Sequence, residues 1–146
     1  MGLLLGFLEL AAISVWIGGI VFFSLAVAPP LFRTLGPHTA GRALRQIFPR
    51  YYLIGIACGV ILMAVTAARG WLWHWNRLTS ILLGVLAFMT GINLLARQAI
   101  VPMLDAAREA GRKRQFARLH RLSLLLNTMV LLMALVYLYW MAARGY

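Results

Sequence analysis

LHRLSLLLNTMVLLMALVYLYW, residues 119–140, decides the fold. From Leu122 to Ala143 the chain carries no charged side chain. That length crosses ~30 Å of hydrocarbon at about 1.5 Å of helical rise per residue. His120, Ser123 and Asn127 open the stretch at spacings of three and four, within about 60° of one another on one helical face. Hydrocarbon offers such groups no hydrogen bonds, so they must turn toward protein, water or a ligand.

Three further stretches share this character. The 146 residues are 63% hydrophobic, and the only acids are Glu9, Asp105 and Glu109. Spans at about 3–28, 52–68, 78–101 and 122–143 predict an all-α integral membrane protein. A soluble domain of this size could not bury so much apolar surface. One domain is expected, an antiparallel bundle of four transmembrane helices with no room for a soluble catalytic domain.

The net charge of +11 raises the question of nucleic acid, and its distribution answers it. Arg33, Arg42, Arg45 and Arg50 lie between spans one and two. Arg108, Arg112, Lys113, Arg114 and Arg118 lie between spans three and four, with Arg97 and Arg121 at the flanking helix ends. The other segments offer only Arg69, Arg77 and Arg144. This alternation obeys the positive-inside rule for a multi-pass protein with both basic loops in the cytoplasm and both termini outside. The basic loops then face anionic lipid headgroups, and no nucleic-acid partner is expected.

Ala26-Val27-Ala28 resembles a cleavage site, but no basic residue precedes the apolar run, so it reads as an uncleaved first span ending near Pro29-Pro30. In RALRQIF, Leu44, Ile47 and Phe48 share a face apart from Arg42 and Arg45. This predicts a short amphipathic interfacial helix between spans one and two, ended by Pro49. Trp71, Trp73, Trp75, Tyr137, Tyr139 and Trp140 suit an outer aromatic belt. Gly55 and Gly59, and again Ser80 and Gly84, have the spacing of close helix packing. Cys58, mid-span, and Met129 with Met133 read as packing residues.

Span three carries Thr90, Asn93 and Arg97 on one face, in the same half of the membrane as His120, Ser123 and Asn127. Two readings stand. The set forms a hydrogen-bonded clasp between helices, with Arg97 snorkelling to the headgroups. Otherwise it lines a polar pocket open to the cytoplasm, with His120 as ligand or proton carrier. Glu9 stands apart near the outer end of span one, reaching water or staying protonated. No residues are assigned to catalysis: zinc-protease, nucleophile-elbow and phosphate-loop patterns are missing, and His38, His74 and His120 are dispersed.

Two longer motifs carry a family resemblance. GPHTAGRALRQIFPRYY, residues 36–52, resembles the first-loop signature of the transmembrane protein 205-like family, whose bacterial members form the DUF4149 group. The match lies in Pro37-His38-Thr39, Gly41, Gln46, Phe48-Pro49 and Tyr51, with Trp16, Gly18, Gly19 and Phe32 upstream. FARLHRLSLLLN, residues 116–127, is similar to the opening of its fourth span, and Asn93 with Pro102 to the end of its third. The resemblance implies four spans in a bacterial inner membrane, and no agreed activity. The first span also looks distantly like those of copper-resistance D proteins and the HemJ type of protoporphyrinogen oxidase. Those place a histidine ahead of a similar Trp, where this chain has Glu9.

Two functions from different classes are therefore carried forward. One is a non-enzymatic membrane protein that binds a small ligand or metal at the polar cluster, or joins a second copy or another membrane protein as an accessory subunit. The other is a small membrane oxidoreductase or haem-handling protein using His120 with Asn93 and Arg97.

Overall fold

A computed structural model describes residues 1–143, apart from the side chains of Pro37 and His38. Its regular structure in this range is all helical. Four long apolar helices, α1 (Gly2–Gly36), α2 (Thr39–Trp73), α3 (Arg77–Glu109) and α4 (Lys113–Ala143), are each long enough to cross a membrane. They make this a multi-pass membrane protein.

Their outward faces explain why water is the wrong solvent. Phe7, Phe22, Leu25, Ile54, Ile81, Phe88, Leu125 and Val136 are all more than half exposed. Such a continuous apolar surface is stable against lipid tails, where a helix satisfies its own backbone hydrogen bonds.

The helices run past the apolar spans at the end where the basic residues gather. Pro29 and Pro30 do not end α1, because a π turn over Phe23–Val27 precedes them. A second π turn, Ala96–Ile100, precedes Pro102 in α3. A proline removes the bond to the carbonyl four residues back, which in each case lies in the π turn. The wide turn reroutes the ladder there, so each helix continues.

The interfacial helix expected at RALRQIF is not a separate element. Residues 39–73 form one helix, and Pro49 lies inside it. Leu44 is buried and Phe48 half-buried within the bundle, so the apolar face that suggested a membrane surface packs on neighbouring helices. Chain direction changes where glycine allows it. Gly36 has φ +69° between α1 and α2, and Gly111 has φ +64° after α3. An L side chain would be strained at either. Asn76 caps α3, its Oδ1 accepting from the Thr79 amide at 2.9 Å.

α2 packs on α1 and α3, and α4 packs on the same two. The backbones of α2 and α4 make no contact among the described residues, nor do those of residues 2–27 and α3. The four helices therefore sit around a square in chain order. Ile13, Leu62, Leu86, Met89 and Val130 fill its middle, each under 2% exposed. α2 approaches its neighbours at Gly55 and Gly59, where Trp16, Thr90 and Asn93 close over the glycines. The Ser80–Gly84 pair is not used this way: among the described residues nothing lies within 4 Å of where a Cβ on Gly84 would stand.

Candidate functional site

Because α2 and α4 lie on a diagonal, only long side chains join them. Pro49 is followed by Tyr51 and Tyr52, whose rings meet edge to face at 5.0 Å. Tyr51 donates its hydroxyl hydrogen to Asn127 Oδ1 at 2.7 Å, and the Tyr52 hydroxyl lies 3.1 Å from Ser123 Oγ. A phenol is long enough to cross the square where a serine or asparagine alone is not. Ser123 and Asn127 thus bond to α2. Asn93 stays on α3, donating from Nδ2 to the Met89 carbonyl at 3.1 Å. Arg97 is half-buried, and its Nε has no acceptor among the described residues. No hydrogen bond links Asn93 or Arg97 to His120, Ser123 or Asn127 among the described residues.

Tyr51→Phe should lower stability by about 0.6 kcal/mol, the average for hydrogen bonds inside membrane bundles. A double-mutant cycle with Asn127→Ala checks this; additive losses would show that the two side chains are not coupled.

His120 is half-buried, with its ring parallel to that of Phe116, 4° apart at a centroid distance of 6.0 Å. Neither ring nitrogen has a hydrogen-bond partner among the described residues. It faces a cavity of about 280 Å³ walled by all four helices. Phe23 and Phe32 come from α1, Phe48, Tyr51 and Tyr52 from α2, Arg108 from α3, and Phe116, Ser123 and Asn127 from α4. The π turn of α1 supplies Phe23 and Ser24 to this wall.

Arg108 is held from three sides. It donates to the Gly41 carbonyl at 2.7 Å, lies 5.0 Å from the centre of the Phe116 ring, and stands 3.9 Å from Asp105. Gly41 has a reason to lack a side chain: a Cβ there would stand 2.7 Å from the guanidinium carbon. Arg45 engages both acids of this end, Asp105 at 3.3 Å and Glu109 at 2.7 Å. Arg33, Arg42, Arg50, Arg112, Lys113, Arg114, Arg118 and Arg121 are exposed and unpaired by any acid among the described residues. This basic end is therefore strongly positive.

The other motif residues have structural places. Trp16 is 2% exposed and lies over Gly55 and Gly59, its indole Nε1 buried without an acceptor among the described residues. Phe48 rests 5.4 Å from Phe23 and 6.1 Å from Tyr52. Tyr51 also meets Phe23, at 4.9 Å. The side chain of His38 lies outside the described residues. No three His, Cys, Asp or Glu side chains converge among the described residues.

A second polar group lies at the opposite, tryptophan-rich end. Glu9 is 2% exposed, neither in water nor alone. Its Oε2 accepts from Arg69 at 2.5 Å and its Oε1 from the Tyr137 hydroxyl at 2.5 Å. The Tyr137 oxygen lies 3.2 Å from Thr66 Oγ1. Tyr137, expected in the aromatic belt, is 3% exposed inside the bundle. The sequence held one signal for this, a lone acid inside an apolar span. Arg69 and Tyr137 are its partners from two other helices, and no spacing rule links residues 60 and 128 positions away.

Comparisons with known proteins place the chain in a family and name no activity. An uncharacterised protein of Aquifex aeolicus (strain VF5) is 30% identical over 128 residues, covering 88% of this chain and 89% of the relative. No solved structure matches the chain. The profile of a domain of unknown function, DUF4149, matches residues 11–113, and the chain belongs to that family.

Proposed function

We propose that this is a non-enzymatic binding protein of a bacterial inner membrane. In this reading the cavity at the basic end holds a small flat organic molecule that carries an acid or acceptor group. The observation that supports it is the pairing of an unbonded His120 with the pinned Arg108 across a cavity rimmed by aromatic rings. Such a lining matches small-molecule sites, which are mainly apolar with a few fixed polar groups. The rings stack on the flat body, while Arg108 and His120 receive its oxygen atoms. The four spans run antiparallel with the basic end in the cytoplasm and both termini outside, consistent with the charge distribution. Excess arginines there also suit anionic lipid headgroups, and a second copy or another membrane protein is accommodated on the exposed apolar faces. The wider likeness to the transmembrane protein 205-like family is compatible with this reading.

The haem-handling alternative uses His120 as a ligand, with Asn93 and Arg97, and an absorption spectrum separates the two. In the binding reading, gently purified protein shows no Soret band, and extraction releases a small acidic molecule. His120→Gln inserts normally but releases much less of it, because Gln lacks the imidazole's shape and second ring nitrogen. Equal release from wild type and His120→Gln would sink the binding role of His120. A reporter fused after residue 146 should report the outer side, and a cytoplasmic signal would invert the orientation.

A further inference from the structure

We propose that the tryptophan-rich end holds a second binding site, for an amphiphile with an anionic head group, and that Arg69 receives the head. This site lies apart from the basic-end cavity. Arg69 and Tyr51 are 18 positions apart on α2, or about 27 Å along the helix axis.

The square of helices is not filled here. A cavity of about 710 Å³ opens between all four, with Glu9, Thr66 and Arg69 in its wall. The Glu9–Arg69 pair is lopsided, and that decides the ligand's charge. The Glu9 side chain is 3% exposed with both oxygens engaged, so it has nothing left to offer. The Arg69 side chain is 36% exposed and gives only one of its five N–H groups to Glu9 among the described residues. The open member of the pair is a donor, so the incoming group must be an acceptor. Carboxylates and phosphates match the guanidinium fork.

Among the described residues no other acid competes for Arg69, because Asp105 and Glu109 are both held by Arg45 at the far end. Glu9 and Tyr137 act as positioning residues, fixing the guanidinium at the cavity wall. His74, Asn76 and Thr79 add polar groups on the α2–α3 side, while Leu3, Leu82 and Met141, with the indoles of Trp73 and Trp140, offer an apolar body its contact. Indoles lie at the level of headgroups in a bilayer, where an amphiphile presents its charge. The head is the carboxylate of a fatty acid or the phosphate of a phospholipid.

Native mass spectrometry of the full chain in detergent tests this. The probes are oleate, phosphatidylglycerol, phosphatidylcholine and inorganic phosphate at equal concentrations. At least one of the two anionic amphiphiles should be retained about tenfold over phosphatidylcholine, the scale of one charge-assisted interaction. Which of the two it is identifies the source. Leu82→Trp fills the cavity without touching the ion pair and should abolish the preference, as should Arg69→Gln. Arg118→Gln, at the basic end, should leave it intact. Equal retention of anionic and zwitterionic lipid by the wild type would overturn the proposal, whatever the variants do. So would retention of inorganic phosphate alone, or a preference that survives in a folded Leu82→Trp variant.

Discussion

Glu9→Ala should lower the stability of the bundle by about 2–3 kcal/mol, measured by unfolding titration in detergent. The carboxylate is the shared acceptor of α2 and α4, through Arg69 and Tyr137. Its removal leaves a buried phenol and a guanidinium without their acceptor. Losing one partner of a fully buried pair costs about 3–5 kcal/mol, and the open side of Arg69 brings the expected value down. Glu9→Gln keeps a carbonyl acceptor for one partner and should cost less. Tyr137→Phe removes one bond while leaving the ion pair, and should cost less than Glu9→Ala. A change below about 0.5 kcal/mol in Glu9→Ala would mean that the tie adds nothing to the bundle.

Gly59→Ala should be destabilising by about 1–3 kcal/mol, the usual range for overpacking a tight contact. The added Cβ would stand 2.0 Å from Thr90 Oγ1 and 3.1 Å from the Trp16 ring. Thr90 cannot easily turn away, since its hydroxyl donates to the Leu86 carbonyl at 2.7 Å. Ala at 84 offers the control, because open space surrounds Gly84. Thr90→Ala combined with Gly59→Ala should recover much of the loss. Equal effects of Gly59→Ala and Gly84→Ala on thermal unfolding would contradict the packing of α2 on α3.

The helices were legible because membrane spans declare themselves by composition over some twenty residues. Their ends were not. Prolines at 29, 30 and 102 read as stops, and the π turns that absorb them leave no mark in hydropathy. Pro49 misled in the same way, since Leu44 and Phe48 face the bundle interior and hold α2 continuous. The site was legible in part. Ser123 and Asn127 could be placed on one face, but periodicity cannot name the helix across from that face. The partners are phenols of α2, chosen by the diagonal distance between α2 and α4. By sequence, Arg108 is a charge in the loop between spans three and four. Its place over Phe116, against the Gly41 carbonyl, depends on α3 continuing to Glu109. Gly41, met first as a motif letter, has its reason in that contact.

The binding reading rests on what occupies the space between His120 and Arg108. An experimental map of the protein, extracted with its native lipids and without added ligand, tests this most directly. Binding predicts non-protein density against the Phe116 and Tyr51 rings, with an acceptor within hydrogen-bond distance of Arg108 and His120. A cavity closed by inward-turned Phe48 or Phe116, with His120 bonded to a neighbouring helix, would contradict it.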